Sequence, residues 1–296
     1  MGLQELEDWG PLVDLKARQE ANMTLLLTSD LHLHSAKLLH LLNEAPAYDA
    51  MLVAGDHLNI FAKSGLDQQA DEVLRWRNQI IAAGKSFAWC SGNHDYFYDR
   101  DTLMEGAAPQ WMRQQSSTKT CITDGESRLL HVESRKVVIT TIPWPVSGGT
   151  VFVDGVRKNY HDVVQELLRC GEDLRNKEKV PWFLLNHEPP ADSPLCGGYE
   201  AAEANYSRRL IESFQPDFSV HGHIHQAPTA VGGSWISRIG KTISFNAGQS
   251  ALGQPPHFVL LCLGQAGKWH ASWHFKSGTE EAHPAGDGLH VTSDDI

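Results

Sequence analysis

Five short clusters of histidine, aspartate and asparagine constrain this chain more than any other feature. They are Asp30-Leu31-His32, Gly55-Asp56-His57-Leu58-Asn59, Ser91-Gly92-Asn93-His94-Asp95, Asn186-His187-Glu188 and His221-Gly222-His223-Ile224-His225. Each follows an apolar run of strand length. A polar cluster at the end of a buried strand is the usual place for a ligand site in an open α/β sheet. The fold must therefore bring five strand ends to one place.

The order of elements supports that. Met23–Thr28, Ala50–Ala54 and Ser86–Cys90 read as buried strands. Ser35–Leu42 and Gln68–Ala83 lie between them with apolar residues at helical spacing, and Gly84 stops the second. This β-α-β-α-β series implies parallel strands. Residues 96–120 break the rhythm as a loop excursion. Leu129–Val132 and Lys136–Ile142 form a strand pair, and Pro143-Trp144-Pro145 requires an irregular loop. Tyr160–Leu174 and Ala201–Phe214 are helical; Trp182–Leu185 and Phe218–Val220 are strands. Ser234–Ile239, Thr242–Asn246, Phe258–Leu263 and Trp269–Phe275 read as an antiparallel meander completing the second sheet. The expected organisation is an N-terminal arm or helix (1–22), one domain (23–276) and a disordered tail (277–296) rich in Gly, Asp, His and Pro.

Charge and cysteine usage exclude several classes. Lys+Arg 25 against Asp+Glu 36 gives a formal charge of −11, which disfavours a broad nucleic-acid surface. No apolar run approaches the ~18–20 residues of a membrane span. The first twenty residues contain no apolar h-region. Five scattered cysteines without C-x-x-C spacing fit a reducing, cytoplasmic compartment rather than a disulfide frame or a thiolate metal site.

The clusters offer three oxygen ligands (Asp30, Asp56, Asn93) and four imidazoles (His32, His187, His223, His225). In extended chain, residues i and i+2 face one side, so Asp30 leaves its strand with His32, and His223 with His225. Asp56 follows Gly55 directly and can approach closely enough to bridge two ions. A mixed N/O set without sulfur suits Mn, Fe or Zn better than Mg or Ca. Seven ligands are too many for one ion with an open position and fit two ions sharing a carboxylate. Two ions ~3.5–4 Å apart clamp the attacking and leaving oxygens of an in-line displacement, and a hydroxide bridging them attacks at neutral pH. An anionic, oxygen-rich phosphoester is the fitting partner.

Taken in order, D-x-H, G-D-x-x-N, G-N-H-D, H and G-H-x-H resemble the calcineurin-like metallophosphoesterase superfamily. The resemblance spans residues 30–225, and Asn246-Ala247-Gly248 is similar to its closing segment. It implies an α/β (α+β) four-layer sandwich of two mixed β-sheets flanked by helices. It assigns Asp30, His32, Asp56 and His225 to one metal, and Asp56, Asn93, His187 and His223 to the other. It makes His94 the group that contacts the phosphate or protonates the leaving oxygen, with Asn93 also facing substrate and Asp95 orienting His94. It also suggests Asn59 as a hydrogen-bonding neighbour of His94.

Around this set, His57 is expected to face away, and His221 either supports the ligands or packs in its strand. Trp144, Trp111, Tyr96 and Tyr98 are loop aromatics that either line a pocket or anchor packing. Protein phosphatases of the superfamily carry Arg-Gly after the second motif, where this chain has Asn59-Ile60-Phe61; lipid-A-pathway hydrolases carry arginine where it has His94. No Arg or Lys stands in a motif to meet a monoester dianion. The expected activity is therefore phosphodiester hydrolysis, with a phosphomonoesterase or a non-catalytic scaffold as the alternatives.

Overall fold

The structure, a computed structural model, describes residues 23–293 apart from 44, 46, 63–64, 96–109, 114–117, 146–148, 154–155, 200–201, 251–254, 276–277 and 286–287. The expected N-terminal arm, Tyr96 and Tyr98 lie outside the described residues. The first half runs β1 (Met23–Thr28), α1 (Ser35–Asn43), β2 (Ala50–Ala54), α2 (Leu66–Ala82), β3 (Ser86–Cys90), a short α3 (Gln110–Arg113), β4 (Cys121–Ile122), β5 (Ser127–Val132) and β6 (Arg135–Thr141). The rest runs β7 (Thr150–Val153), β8 (Val156–Asn159), α4 (Tyr160–Glu178), β9 (Trp182–Leu185), α5 (Ala202–Phe214), β10 (Phe218–His221), β11 (Ile236–Ile239), β12 (Thr242–Asn246), β13 (Phe258–Leu263), β14 (Trp269–Phe275), β15 (Gly278–Ala285) and β16 (Gly288–Ser293).

Two mixed sheets result, ordered β16-β15-β14-β13-β1-β2-β3-β4 and β11-β12-β10-β9-β6-β5. Their centres, β1-β2-β3-β4 and β6-β9-β10-β12, are parallel. Parallel strands bury both faces, and the burial pattern follows the strand alternation. Leu25, Leu27, Leu52, Ala54 and Cys90 point between the sheets and meet Val137, Ile139, Phe183, Leu185 and Phe245. Their neighbours Leu26, Met51, Val53 and Trp89 face the opposite way onto Leu38, Leu41, Val73 and Trp76 of α1 and α2. Val138, Trp182 and Leu184 pack onto Val164, Leu168 and Ile211 of α4 and α5. The four layers are helix, sheet, sheet, helix, as expected.

Two expectations about the C-terminal part are corrected. Of the strands read as one meander of the second sheet, β11 and β12 do join it, but β13 crosses over and pairs antiparallel with β1, and β14 follows it. Alternation within a strand reports burial, whereas sheet membership depends on which distant edge is open. The segment read as a disordered tail forms β15 and β16, laddered onto β14. Its Gly- and Pro-bearing sequence has no core of its own, but the β14 edge supplies partners. Ala282 enters the inter-sheet core, and Trp235 Nε1 donates to Glu280 Oε2 at 2.8 Å.

Candidate metal centre

All five clusters lie just past the carboxyl ends of β1, β2, β3, β9 and β10. Strand ends alone do not aim side chains, and the backbone here turns sharply. Asp30, His32, Asp56 and His223 all adopt positive φ (54°, 46°, 53° and 67°), a region costly for non-glycine residues. The pairs Asp30/His32 and His223/His225 therefore converge through left-handed turns and not, as the i, i+2 rule suggested, through extended chain. Glycine makes the close approach possible: a Cβ on Gly222 would stand 2.5 Å from Asp30 Oδ2, and one on Gly92 2.2 Å from Asp56 Oδ1.

The predicted ligands form two overlapping groups that share Asp56. One is Asp30, His32, Asp56 and His225; the other is Asp56, His187 and His223. Within the first, His32 Nε2 is 3.0 Å from His225 Nε2, and His225 Nε2 is 3.2 Å from Asp30 Oδ1. Within the second, His187 Nε2 is 3.3 Å from Asp56 Oδ2. Asn93 Oδ1 joins them at 3.2 Å from His187 Nε2 and 2.9 Å from His223 Nδ1.

The outer ring nitrogens are fixed by the protein. His187 Nδ1 meets the Ala54 carbonyl at 2.7 Å, and His32 Nδ1 meets that of Leu58 at 3.2 Å. A carbonyl only accepts, so each Nδ1 carries the hydrogen and each neutral ring turns its Nε2 lone pair inward. For His187 that lone pair faces a carboxylate. Something positive must lie between them, a proton or a cation.

The electrostatics agree. Burial works to raise the Asp30 carboxyl, but the bonded His225 ring and the nearby His187 and His32 hold it far below the usual carboxylate range. Burial likewise opposes the ionised Asp56, and His187 outweighs it, so its carboxyl is lowered too. Burial works against a charged His187 ring, yet Asp56 and Asp30 raise it to about 10. His223 is pushed down to about 4 by burial and the His187 charge. A donor set of carboxylates, an amide oxygen and inward-facing imidazoles fits a first-row transition cation in place of that proton.

His94 stands beside this centre. Its Nε2 is 3.9 Å from Asp56 Oδ2, its ring meets His32 edge-on at 4.5 Å, and its backbone N–H donates to Asp56 Oδ1 at 2.9 Å. Asp95 does not orient it. The Asp95 carboxylate faces the other way and accepts from the backbone N–H groups of His57, Leu58 and Gly92 and from His57 Nδ1, at 2.8–3.1 Å. Consecutive residues on the tight turn diverge, and four donors outcompete the neighbouring ring. Among the described residues His94 Nδ1 has no hydrogen-bond partner. Asp95 thus clasps the β2 and β3 loops together, and His57 faces away as expected. Asn59 does not reach His94; its Oδ1 accepts from Phe61 N at 3.0 Å.

Several residues support the centre in ways the sequence left open or did not show. His221 is buried, with Nδ1 at 2.9 and 3.0 Å from the Asn186 and Glu188 carbonyls, and holds the His187 turn. Burial depresses it to about 4, so it acts as a neutral donor. Glu188 Oε2 lies 3.6 Å from the outer Nε2 of His223. Asn246 Nδ2 donates to the Gly222 and Ile224 carbonyls and pins the His223/His225 turn. Buried Lys37, lowered to about 8 by burial against the opposing pull of Asp30, donates to the Ser250 carbonyl at 2.8 Å. Of the loop aromatics, Trp144 lies 5.4 and 5.5 Å from His187 and His223, while Trp111 is a packing anchor on Trp89.

A cluster of this make-up at the strand ends of a two-sheet sandwich is suited to holding metal ions. The calcineurin-like phosphoesterase family model matches residues 23–227, and the chain belongs to that family. No curated protein sequence matches this chain significantly. Among solved structures it is similar to one described as a 5′-nucleotidase from Staphylococcus aureus in complex with α-ketoglutarate (TM-score 0.50, 13% identity, 92% of this chain and 55% of that one). It is also similar to the NAD nucleotidase of Haemophilus influenzae (0.46, 12%, 93% and 54%) and to a metallophosphoesterase from Sphaerobacter thermophilus (0.34, 14%, 85% and 87%). The chain spans little more than half the length of the first two. Among the described residues no helix is long and apolar enough to cross a membrane.

Proposed function

We propose that the chain is a dinuclear phosphodiesterase. Asp30, His32, Asp56 and His225 would hold one cation, and Asp56, Asn93, His187 and His223 the other. When bound, such a pair supplies Lewis acidity and an ionised water near neutral pH. What carries the reading is the sharing of Asp56 between two convergent ligand groups. The remaining work belongs to the chain. The Ala54 and Leu58 carbonyls keep the His187 and His32 lone pairs aimed inward. Asp95 fixes the loop that carries Asn93 and His94. His94 Nε2, beside Asp56, is placed to hold a proton and pass it to the departing oxygen.

The diester preference rests on charge. No Arg or Lys stands in the five clusters, so among the cluster residues Asn93 and His94 would meet the phosphoryl oxygens beside the cations, which suits a monoanion better than a dianion. Metal-loaded protein assayed on bis-aryl, mono-aryl and cyclic-nucleotide phosphates tests this. Faster turnover of a diester than of the aryl monoester is expected. A monoester preferred by tenfold would make the chain a phosphatase.

A further inference from the structure

Five large apolar side chains are well exposed among the described residues, and two of them, Phe61 (83%) and Tyr199 (48%), stand at the rim of the metal centre. An exposed aromatic face beside a ligand centre is free to stack on a planar group that enters there. Both are held by their backbones. Phe61 N donates to Asn59 Oδ1 at 3.0 Å, and Tyr199 N donates to the Cys196 carbonyl at 2.9 Å after two left-handed glycines, Gly197 and Gly198.

Their placement is directional. The Phe61 ring lies 5.5 Å from that of His94, which is 4.5 Å from His32, itself 4.9 Å from His225. At the opposite end the Tyr199 ring lies 6.2 Å from His223, and Trp144 lies 5.5 Å from the same histidine. One aromatic surface therefore flanks the proton-donating end of the centre, and a second flanks the other ligand group. A phosphodiester has two substituents and would present one to each.

We propose that Phe61 is a wall for a planar leaving substituent and that Tyr199, with Trp144, is a wall for a planar retained substituent. The substrate class is a phosphodiester with an aromatic face on both arms, aryl or nucleobase alike. In the reaction the water oxygen bonds to phosphorus and gives up a proton, the bond to the leaving oxygen breaks, and that oxygen takes a proton from His94 and leaves as the alcohol next to Phe61, the water's proton restoring His94. The monoester stays against Tyr199. This rests on the phosphodiesterase reading and adds where each arm lies.

The test uses the full, metal-loaded chain and two probes releasing the same leaving group, bis(4-nitrophenyl) phosphate and methyl 4-nitrophenyl phosphate. Phe61→Ala is expected to lower kcat/KM on both probes by about tenfold, chiefly through KM, leaving their ratio unchanged; Phe61→Tyr restores it. Tyr199→Ala is expected to lower the bis-aryl to methyl-aryl ratio of kcat/KM by about tenfold. The walls are overturned if wild type cleaves both probes but that ratio is indifferent to Tyr199→Ala, or if Phe61→Ala changes neither rate. Wild type that cleaves neither probe would overturn the phosphodiesterase reading, and the walls with it.

Discussion

At the scale of single residues, the centre separates groups that face substrate from groups that hold them. Among the described residues His94 has no hydrogen-bond partner for its Nδ1, and its Nε2 lies beside Asp56, so it is held by its backbone and by ring packing. Replacing it by Ala should lower kcat by about 10²–10⁴-fold with cation binding intact. Parallel calorimetric titration and assay check this, and unchanged turnover would remove His94 from the chemistry. His187 gives the pH dependence. Asp56 raises its ring to about 10, so at pH 7 the metal-free ring carries a proton. A cation must displace that proton. Affinity should therefore rise with pH through the neutral range, by about tenfold per unit for each proton released. Binding isotherms at pH 6, 7 and 8 measure the slope; a flat profile would exclude His187 as a ligand. The convergence of the candidate ligands was legible because residue type and spacing are explicit in the sequence. The role of Asp95 was not, since it depends on three backbone N–H groups from two loops meeting in space.

At the scale of elements, the strand ends are aimed by turns, and the turns by glycine. Gly222 leaves room for the Asp30 carboxylate, which accepts from His223 N at 3.0 and 3.1 Å. Gly222→Ala should push Asp30 and the His223 turn apart and weaken cation binding by about 10–100-fold while the circular dichroism spectrum stays unchanged. Unaltered affinity would mean that the turn yields at no cost. The parallel core of the first sheet was legible, because strands buried on both faces read as short continuous apolar runs bounded by turns; that β6, β9, β10 and β12 also run parallel was not. The hairpin of β7 and β8 was not: Val156-Arg157-Lys158-Asn159 is exposed throughout and carries no burial signal. Nor was the crossing of β13 to β1, or the addition of β15 and β16, because both depend on distant open edges. The positive φ at four ligand residues was hidden for a related reason. Local preference forbids it, and only the surrounding contacts enforce it.

At the scale of the molecule, a chain of net charge −11 gathers two of its carboxylates, Asp30 and Asp56, inside a ring of imidazoles at one end of a four-layer sandwich. Cations resolve the like-charge cost of that arrangement and make the same place attractive to an anionic phosphoester. The most direct test is one sample carried through a cation titration with Mn²⁺ or Zn²⁺ while bis-aryl phosphodiester turnover is followed. The account predicts two bound equivalents, with turnover completed only by the second. Saturation at one equivalent with full turnover, or two bound equivalents with none, would contradict it.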